Sequence, residues 1–403
     1  MNKPASESEL FSAARREFPA LERWTYMDVS GRGVLSRGVR AAIDGQLDER
    51  MMNGGDKVRF FDLIERARDK FAELINAEPD EIAYAKNISD GLNMVATGFD
   101  WQRGDNVILC PELEHPNNVY PWLNMQRYGL EVRAVQARDG HIAVDDILKL
   151  MDGGTRVVTV STVTFAPGFR TDVDKLGRAC REQGVMLLVD AAQSAGILHT
   201  DVRASNIDAL AVSTQKGLLG LYGMGFLYCR REWAEQLKPA YLARFGVNLG
   251  SDAHEASMGD NSYELMPAAR RFDLGNYNFV GAAAVDASLS ELQALGTRSI
   301  ERHVTQLGHA LAQGLLDLGL PVSGGKPGPH LAHIVTVGAM SANHYGSDND
   351  LYNRLYEHLT ANRVKLSIRR GVLRFSLHLY NNMEDVTRVL DLTRQFVPAK
   401  GAR

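Results

Sequence analysis

Short apolar runs alternate with stretches of helical periodicity along much of the chain. Near residue 60 and again at Asp172–Gln183, apolar residues recur on one face of a helix. Because such helices alternate with nearly continuous apolar strands, the pattern predicts an α/β domain with a mostly parallel sheet covered on both faces. The predicted strands are Val107–Cys110, Val132–Val135, Val157–Val160, Met186–Val189, Ala209–Val212 and Phe226–Cys229.

The pattern changes after a polar, glycine-containing segment at 250–278, and loops of this length are usually functional or lie at an interface. Two long helical patterns, Val280–Ala294 and Ile300–Leu318, follow it, and strands then alternate with helices. We therefore expect a large α/β domain at 26–280 and a smaller α+β domain at 281–403. We expect residues 1–25 to form an N-terminal segment that packs near the small domain.

Composition narrows the class of protein. The chain has 403 residues, 45% of them hydrophobic, and a formal net charge of −4, with no basic run that would indicate a nucleic-acid or membrane-surface partner. It shows neither a signal-peptide pattern at its start nor an apolar stretch near the ~20 residues that span a bilayer. Three widely spaced cysteines indicate no disulfide framework and no metal site. A soluble, cytoplasmic protein is expected.

Lys216 ends the apolar, β-prone run Leu210–Lys216, and a glycine-rich turn follows at once. A lysine is rarely buried without a partner, so a lysine carried inward by a strand is a candidate for Schiff-base chemistry. The alternative is a lysine that extends to the surface at the end of a strand. The following glycines match neither the Walker pattern nor the dinucleotide fingerprint, which disfavours a nucleotide site.

Two polar segments upstream follow strand-like runs. Asn87–Asn93 opens a helix directly after Glu81–Tyr84, and Asn87 or Ser89 as its cap would leave backbone N–H groups for a phosphate. An ordinary capped helix is the alternative. His115 lies in a loop after a strand, where it can stack on a planar ring, move protons, or serve only as a polar loop residue.

Asp190 closes a hydrophobic strand, at the end of the sheet where open α/β folds bind ligands. A buried aspartate there needs a cationic partner, and a protonated pyridine nitrogen is one. A metal, a helix cap and a structural ion pair are the competing explanations. Ser213, three residues before Lys216, is a candidate phosphate donor.

The order of phosphate loop, histidine, aspartate and lysine resembles class V of the pyridoxal-phosphate aminotransferase family. These fold-type I enzymes include cysteine desulfurases and an isopenicillin-epimerase-like group. The most specific feature of this resemblance is the segment Val189–Gln193 followed by the Ser-x-x-Lys motif that ends at Lys216. The resemblance runs from about residue 25 to 395. The resemblance implies a fold-type I transferase-like architecture, whose large domain contains a mostly parallel seven-stranded sheet.

The resemblance also implies the cofactor, pyridoxal 5'-phosphate, and its contacts. Lys216 would form a Schiff base with the cofactor aldehyde and His115 would stack on the ring, and we expect both to be catalytic. Further implied contacts are Asp190 with the pyridine nitrogen, Gln193 with the ring hydroxyl, and Ser89 and Ser213 with the phosphate. A turn at 275–278 resembles the one that reaches the phosphate of the neighbouring subunit, so Asn276 is its candidate and a homodimer is implied.

Near the C-terminus, the segment from Gly371 to Asn381 resembles the one whose arginine binds the substrate α-carboxylate. A planar guanidinium grips a carboxylate with two parallel hydrogen bonds, and Arg374 is the candidate. Arg369 and Arg370 are secondary candidates. The alternative is that these are surface arginines on a polar strand.

Three departures separate the chain from cysteine desulfurases. Gln215 stands where a proton-carrying histidine is common, and Phe165 stands where an asparagine is usual. No cysteine follows Cys229, although a desulfurase needs one on a late loop to accept sulfur as a persulfide.

We therefore expect an enzyme that acts on an α-amino acid, with Lys216 as the base for the Cα proton. Aminotransferase and β-eliminating carbon–sulfur lyase rank level, and racemase or epimerase is the alternative. Persulfide-forming desulfurase and a non-catalytic cofactor-binding protein rank behind these.

Overall fold

A computed structural model describes residues 6–250, 262–343 and 345–396. Outside the described residues lie 251–261 of the polar segment, His344, and the first and last residues of the chain, which belong to the expected N-terminal segment and small domain. The helices are α1 (Glu7–Arg16), α2 (Arg37–Asn53), α3 (Lys57–Ile75), α4 (Ile88–Gly98), α5 (Tyr120–Met125), α6 (Val144–Leu150), α7 (Val173–Gln183), α8 (Arg231–Ala234), α9 (Phe279–Leu295), α10 (Thr297–Asp317), α11 (Asp350–Ala361) and α12 (Met383–Phe396). The strands are β1 (Thr25–Tyr26), β2 (Ile82–Ala85), β3 (Asn106–Leu109), β4 (Glu131–Ala134), β5 (Ala137–Arg138), β6 (His141–Ile142), β7 (Thr155–Ser161), β8 (Met186–Asp190), β9 (Ala209–Ser213), β10 (Gly225–Cys229), β11 (Val247–Asn248), β12 (Glu264–Leu265), β13 (Ile334–Val337), β14 (Val364–Lys365), β15 (Ser367–Arg369) and β16 (Val372–Ser376).

The central sheet has the strand order β2-β10-β9-β8-β7-β3-β4. Its strands from β9 to β4 run parallel, and β10 runs antiparallel to both of its neighbours. All six strands predicted from apolar runs are present, and the strand-like run before Asn87 is the seventh. The predicted mostly parallel, seven-stranded α/β sheet is confirmed.

Both faces of this sheet are buried, which explains why its strands are apolar without alternation. In β8, Leu187 and Val189 belong to one apolar cluster, whereas Met186 and Leu188 belong to another on the opposite face. Every residue of β8 is buried, Asp190 included. The aspartate therefore enters the interior as the last residue of an apolar strand.

The C-terminal part has its own sheet, with the antiparallel order β13-β16-β15, and its own apolar cluster. The N-terminal segment is attached here: β1 pairs with β14, and Arg15 forms an ion pair of 2.8 Å with Asp385. The packing of residues 1–25 near the small domain and the boundaries at 25 and 280 stay predictions. None of the helices in the described ranges has the length and apolarity that crossing a membrane requires.

Candidate active site

Three polar residues meet where neighbouring parallel strands end. Ser161 is the last residue of β7 and pairs with Asp190 at the end of β8, while Ser213 ends β9 beside them. Because the carboxyl ends of parallel strands share one edge of the sheet, the three side chains open onto one cavity of about 700 Å³. Of the predicted site residues, Ser89, His115, Asp190, Gln193, Ser213, Lys216 and Arg374 all line it, and Asn276 does not.

Lys216 follows β9 by three residues and lines this cavity, half-buried. The turn after it packs tightly, because a Cβ on Gly217 would lie 2.3 Å from the Ala195 carbonyl oxygen. Burial lowers the pKa of Lys216 to about 8; Asp190 opposes this shift, and the positive charges of Arg374 and Arg369 add to it. No described residue hydrogen-bonds to its Nζ, so the amine is free to react.

The side chains of Asp190 and Gln193 are buried, and their hydrogen bonding within the described residues is incomplete. Asp190 Oδ1 accepts a hydrogen bond of 2.9 Å from the Ala192 N–H, but no described cation lies within ion-pair distance. Desolvation raises the pKa of Asp190, against the Ala192 N–H and the charge of Lys216. Gln193 Nε2 donates to the Ser30 carbonyl at 3.4 Å, and its buried Oε1 has no partner. Such orphaned groups indicate that something else binds here.

The N-terminus of α4 closes the other end of the cavity. Asn87, not Ser89, is the cap, since its side chain accepts from the Asp90 N–H at 3.0 Å. The Ile88 N–H donates to Ser213 Oγ at 2.8 Å, which brings β9 against the first turn of the helix. Within the described residues the Ser89 N–H has no acceptor, so this helix end is suited to an anion.

His115 lies on the cavity wall with its ring accessible to solvent. Its Nδ1 accepts from the Asn117 N–H at 3.2 Å, and its ring meets that of Phe165 edge-on, 5.5 Å between centroids. Desolvation and the charges of Lys216 and Arg374 lower the pKa of His115 to about 4. The imidazole ring is therefore neutral at physiological pH.

Arg374 and Arg369 both line the cavity, and Arg370 does not. Arg374 is 2% exposed and donates to Ser367 Oγ (3.2 Å) and the Phe165 carbonyl (2.9 Å), with Asp28 at 3.7 Å. Burial lowers the pKa of Arg374 to about 10, so it stays cationic at neutral pH. The side chain of Arg370 instead donates to the Glu112 carbonyl.

Asn276 is exposed, in a turn where its backbone has a φ of 48°. Its absence from the cavity of its own chain is what a residue acting on a neighbouring subunit requires. That role, like the homodimer, stays a prediction.

Sequence reasoning missed two contributors. Glu114, the residue before His115, is buried and accepts from the Ser161 N–H and from Ser161 Oγ, both at 2.6 Å. Desolvation and the nearby charge of Asp190 raise the pKa of Glu114 to about 7. Ser30, far upstream in the chain, also lines the cavity, and its buried hydroxyl has no partner. An acidic residue beside a loop histidine was a visible signal for Glu114; nothing local marked Ser30.

The sequence of the chain matches the model of the family "Aminotransferase class-V" over residues 52–389. The chain belongs to this family. The family confirms the predicted class of pyridoxal-phosphate-dependent enzyme.

Known proteins similar to the chain agree with this placement. A probable cysteine desulfurase of Methanothermobacter thermautotrophicus is 34% identical over 296 residues, covering 72% of each chain. A solved apo cysteine desulfurase from Thermococcus onnurineus NA1 has a TM-score of 0.83 at 25% identity and covers 98% of each chain. The cystine C–S lyase C-DES, solved in complex with cysteine persulfide, has a TM-score of 0.82 at 23% identity over 94% of this chain and 100% of its own, a likeness of fold.

The residues in the cavity fit pyridoxal phosphate. Among the residues that the structure describes, the buried carboxylate of Asp190 has no cation, the buried Gln193 Oε1 has no donor, and the amine of Lys216 has no hydrogen-bond partner. A pyridinium, a ring hydroxyl and an aldehyde are the matching groups, and the first turn of α4 matches the phosphate.

Proposed function

We propose that the enzyme is a β-eliminating lyase that cleaves the carbon–sulfur bond of an α-amino acid. The observation that carries the proposal is a cavity that holds an amine base and a carboxylate-binding arginine without any cysteine. All three cysteines of the chain are buried elsewhere. Burial also raises the pKa of Cys110 to about 11 and that of Cys180 to about 12, so neither is a ready nucleophile.

Held by these residues, pyridoxal phosphate would supply an aldehyde for the substrate amine and an electron-withdrawing ring for the charge that develops at Cα. Asp190 would hold the ring nitrogen in its protonated form, because a buried carboxylate with one hydrogen bond is stabilised by a cation. Arg374 grips the α-carboxylate through its remaining N–H groups and so fixes the Cα–H bond relative to the ring. Glu114 holds Ser161 beside Asp190 and keeps the His115 loop against β7.

Lys216 is the proposed base, since its pKa of about 8 leaves a useful fraction of free amine near neutral pH. It takes the proton from Cα, the Cβ–S bond breaks, and its electron pair leaves with sulfur as a thiolate. The Cα=Cβ double bond that forms belongs to an enamine, which water converts to a 2-oxo acid and ammonium. No cysteine in the cavity accepts the sulfur, so the thiol is released to solution.

We also propose that the chain forms a homodimer in which Asn276 of one subunit contacts the cofactor phosphate of the other. Its exposed turn and its absence from its own cavity support this assignment. Sedimentation of the loaded protein, and a weaker cofactor affinity of Asn276→Ala, would test it.

Product analysis tests the reaction type. Protein loaded with pyridoxal phosphate is incubated with cystine or an S-alkyl cysteine, and we expect 2-oxo acid, ammonium and the sulfur leaving group in equal amounts. The same incubation with Lys216→Ala is the control and should release none of them. If the 2-oxo acid kept its sulfur and turnover required a second 2-oxo acid, the enzyme would be an aminotransferase. Inverted amino acid as the main product would make it a racemase.

A further inference from the structure

Arg369 is a cation that the structure leaves without an acidic partner. Its Nη1 donates to the Ile368 carbonyl at 2.7 Å, and its guanidinium lies 5.6 Å from the ring centroid of Tyr345. Among the described residues, no carboxylate lies within 4 Å and its other N–H groups have no acceptor. Arg369 is one of the residues that line the cavity, the space that a substrate would enter.

Arg374 differs in this respect. All three nitrogens of its side chain already have a neighbour: Nε has Ser367 Oγ, Nη1 has the Phe165 carbonyl and Nη2 has Asp28. Asp28 offsets the charge of Arg374 in part, whereas no carboxylate of the described residues forms an ion pair with Arg369. The two arginines are therefore not interchangeable, and the less constrained cation is the one nearer to solvent.

The strand register makes Arg369 and Arg374 diagonal neighbours on one face of the small sheet. Ser367 of β15 pairs with Arg374 of β16, and Arg369 is two residues further along β15 on the same face. Such diagonal neighbours in an antiparallel pair have Cα atoms roughly 7–8 Å apart. One short molecule can reach both.

The other charged groups lining the cavity have different positions. Lys86 is exposed beside the first turn of α4, and Asp190 and Lys216 lie at the carboxyl edge of the sheet. An anionic group at the far end of the substrate side chain would be attracted by the positive charge of Arg369. Among the described residues that line the cavity, Asp190 is the one carboxylate that could repel it. A neutral side chain would leave that guanidinium unpaired.

We propose that Arg369 forms a second anion subsite, which selects α-amino acids whose leaving group carries a carboxylate or a similar acidic group. Arg374 would hold the α-carboxylate while Arg369 holds the far one. A planar guanidinium binds a carboxylate with two parallel hydrogen bonds, and the Tyr345 ring supports its back. The inference rests on the proposed lyase function and names its substrate class.

A matched pair of substrates tests the subsite. S-carboxymethylcysteine and its amide, S-carbamoylmethylcysteine, differ only in a carboxylate, and both release a thiol. We expect wild type to prefer the acid and Arg369→Gln to lose roughly 10- to 100-fold in kcat/KM for the acid alone, the size of a charge-assisted contact. Arg370→Gln is the matched control, since its side chain lies outside the cavity, and should keep the preference.

A binding measurement separates this inference from the proposed reaction. Calorimetry on the loaded protein should show succinate binding more tightly than propionate, and Arg369→Gln should remove the difference. If neither cysteine derivative releases a thiol but succinate keeps its advantage, the lyase function fails and the subsite stands. If wild type treats acid and amide alike, or Arg369→Gln weakens both equally, the subsite is wrong.

Discussion

Two buried aspartates of this chain have opposite surroundings. Asp273 is 1% exposed and accepts from Arg68 Nη2 at 2.7 Å, Tyr277 Oη at 3.0 Å and the Tyr84 N–H at 2.9 Å. Asp190 is 4% exposed and accepts one backbone N–H. The carboxylate of Asp273 therefore has a cation and three hydrogen-bond donors, whereas that of Asp190 has one donor and no cation among the described residues.

The two aspartates are buried for different reasons: Asp273 stabilises the fold, and Asp190 belongs to the candidate active site. Arg68 is 0% exposed and also donates to the Ile82 carbonyl, so the Arg68–Asp273 pair ties α3 to β2 and to the turn before α9. A buried ion pair of this kind is costly to break because the remaining partner keeps an uncompensated charge. In the cavity beside Asp190, the buried Gln193 Oε1 and the Ser30 hydroxyl have no hydrogen-bond partner among the described residues, and such groups mark a place where a ligand completes the bonding.

Lys216 lines the same cavity as Asp190, and the substitution Lys216→Ala should have the largest effect on activity. Loss of the base and of the covalent attachment should lower kcat by roughly 10³-fold or more. The unfolding free energy of the cofactor-free protein should stay the same or rise, because burial already disfavours the ammonium, as its lowered pKa indicates. Lys86→Ala, at the other cavity-lining lysine, should still form a borohydride-reducible adduct. An adduct that survived in Lys216→Ala would overturn the assignment.

Asp273→Ala should have the largest effect on stability. Removing the carboxylate leaves buried Arg68 with the half-exposed Glu65, 3.3 Å from its Nε, as its remaining counter-charge among the described residues. Breaking a buried ion pair typically costs about 3–5 kcal/mol. Denaturant unfolding of the cofactor-free protein measures the loss. The variant to compare with it is Asp190→Asn. Because the pKa of Asp190 is raised in the folded protein, its negative charge opposes folding at neutral pH. Removing that charge should leave the free energy of unfolding unchanged or raise it. Equal losses in both variants would contradict the comparison.

Much of the fold and part of the site were predictable because their signals are local. Each strand of the central sheet is a short apolar run, and Asp190, Ser213 and Lys216 lie at or just after strand ends, which parallel pairing brings to one edge. Partners from distant segments leave no such signal. Ser30 reaches the cavity through a bridge between Asp28 and Ser376, and the same segment sets Asp28 3.7 Å from Arg374. The role of Asn276 concerns a second subunit, which one chain does not contain.

The lowered pKa of Lys216 predicts how cofactor attachment depends on pH. Only the neutral amine attacks an aldehyde, so the attachment rate of the cofactor-free protein should rise about tenfold per pH unit below the pKa and level off above about pH 8. Stopped-flow absorbance after mixing with pyridoxal phosphate measures the rate. An ordinary lysine would give a rate still rising at pH 10, and that result would show that burial does not tune this amine.

The smallest effect expected is that of Gln193→Met, and it tests whether an orphaned buried group costs stability until a ligand pairs with it. The near-isosteric change removes the buried Oε1 that has no partner, together with a long 3.4 Å contact to the Ser30 carbonyl. An unmet buried acceptor costs roughly 1–3 kcal/mol, so the cofactor-free variant should be at least as stable as wild type. Its cofactor dissociation constant should rise by up to about tenfold, since one neutral hydrogen bond contributes about 0.5–1.5 kcal/mol. Denaturant unfolding without cofactor and titration with cofactor give the two values separately. If Gln193→Met destabilised the cofactor-free protein by more than about 2 kcal/mol, the amide would belong with Asp273, among the groups that the fold itself requires.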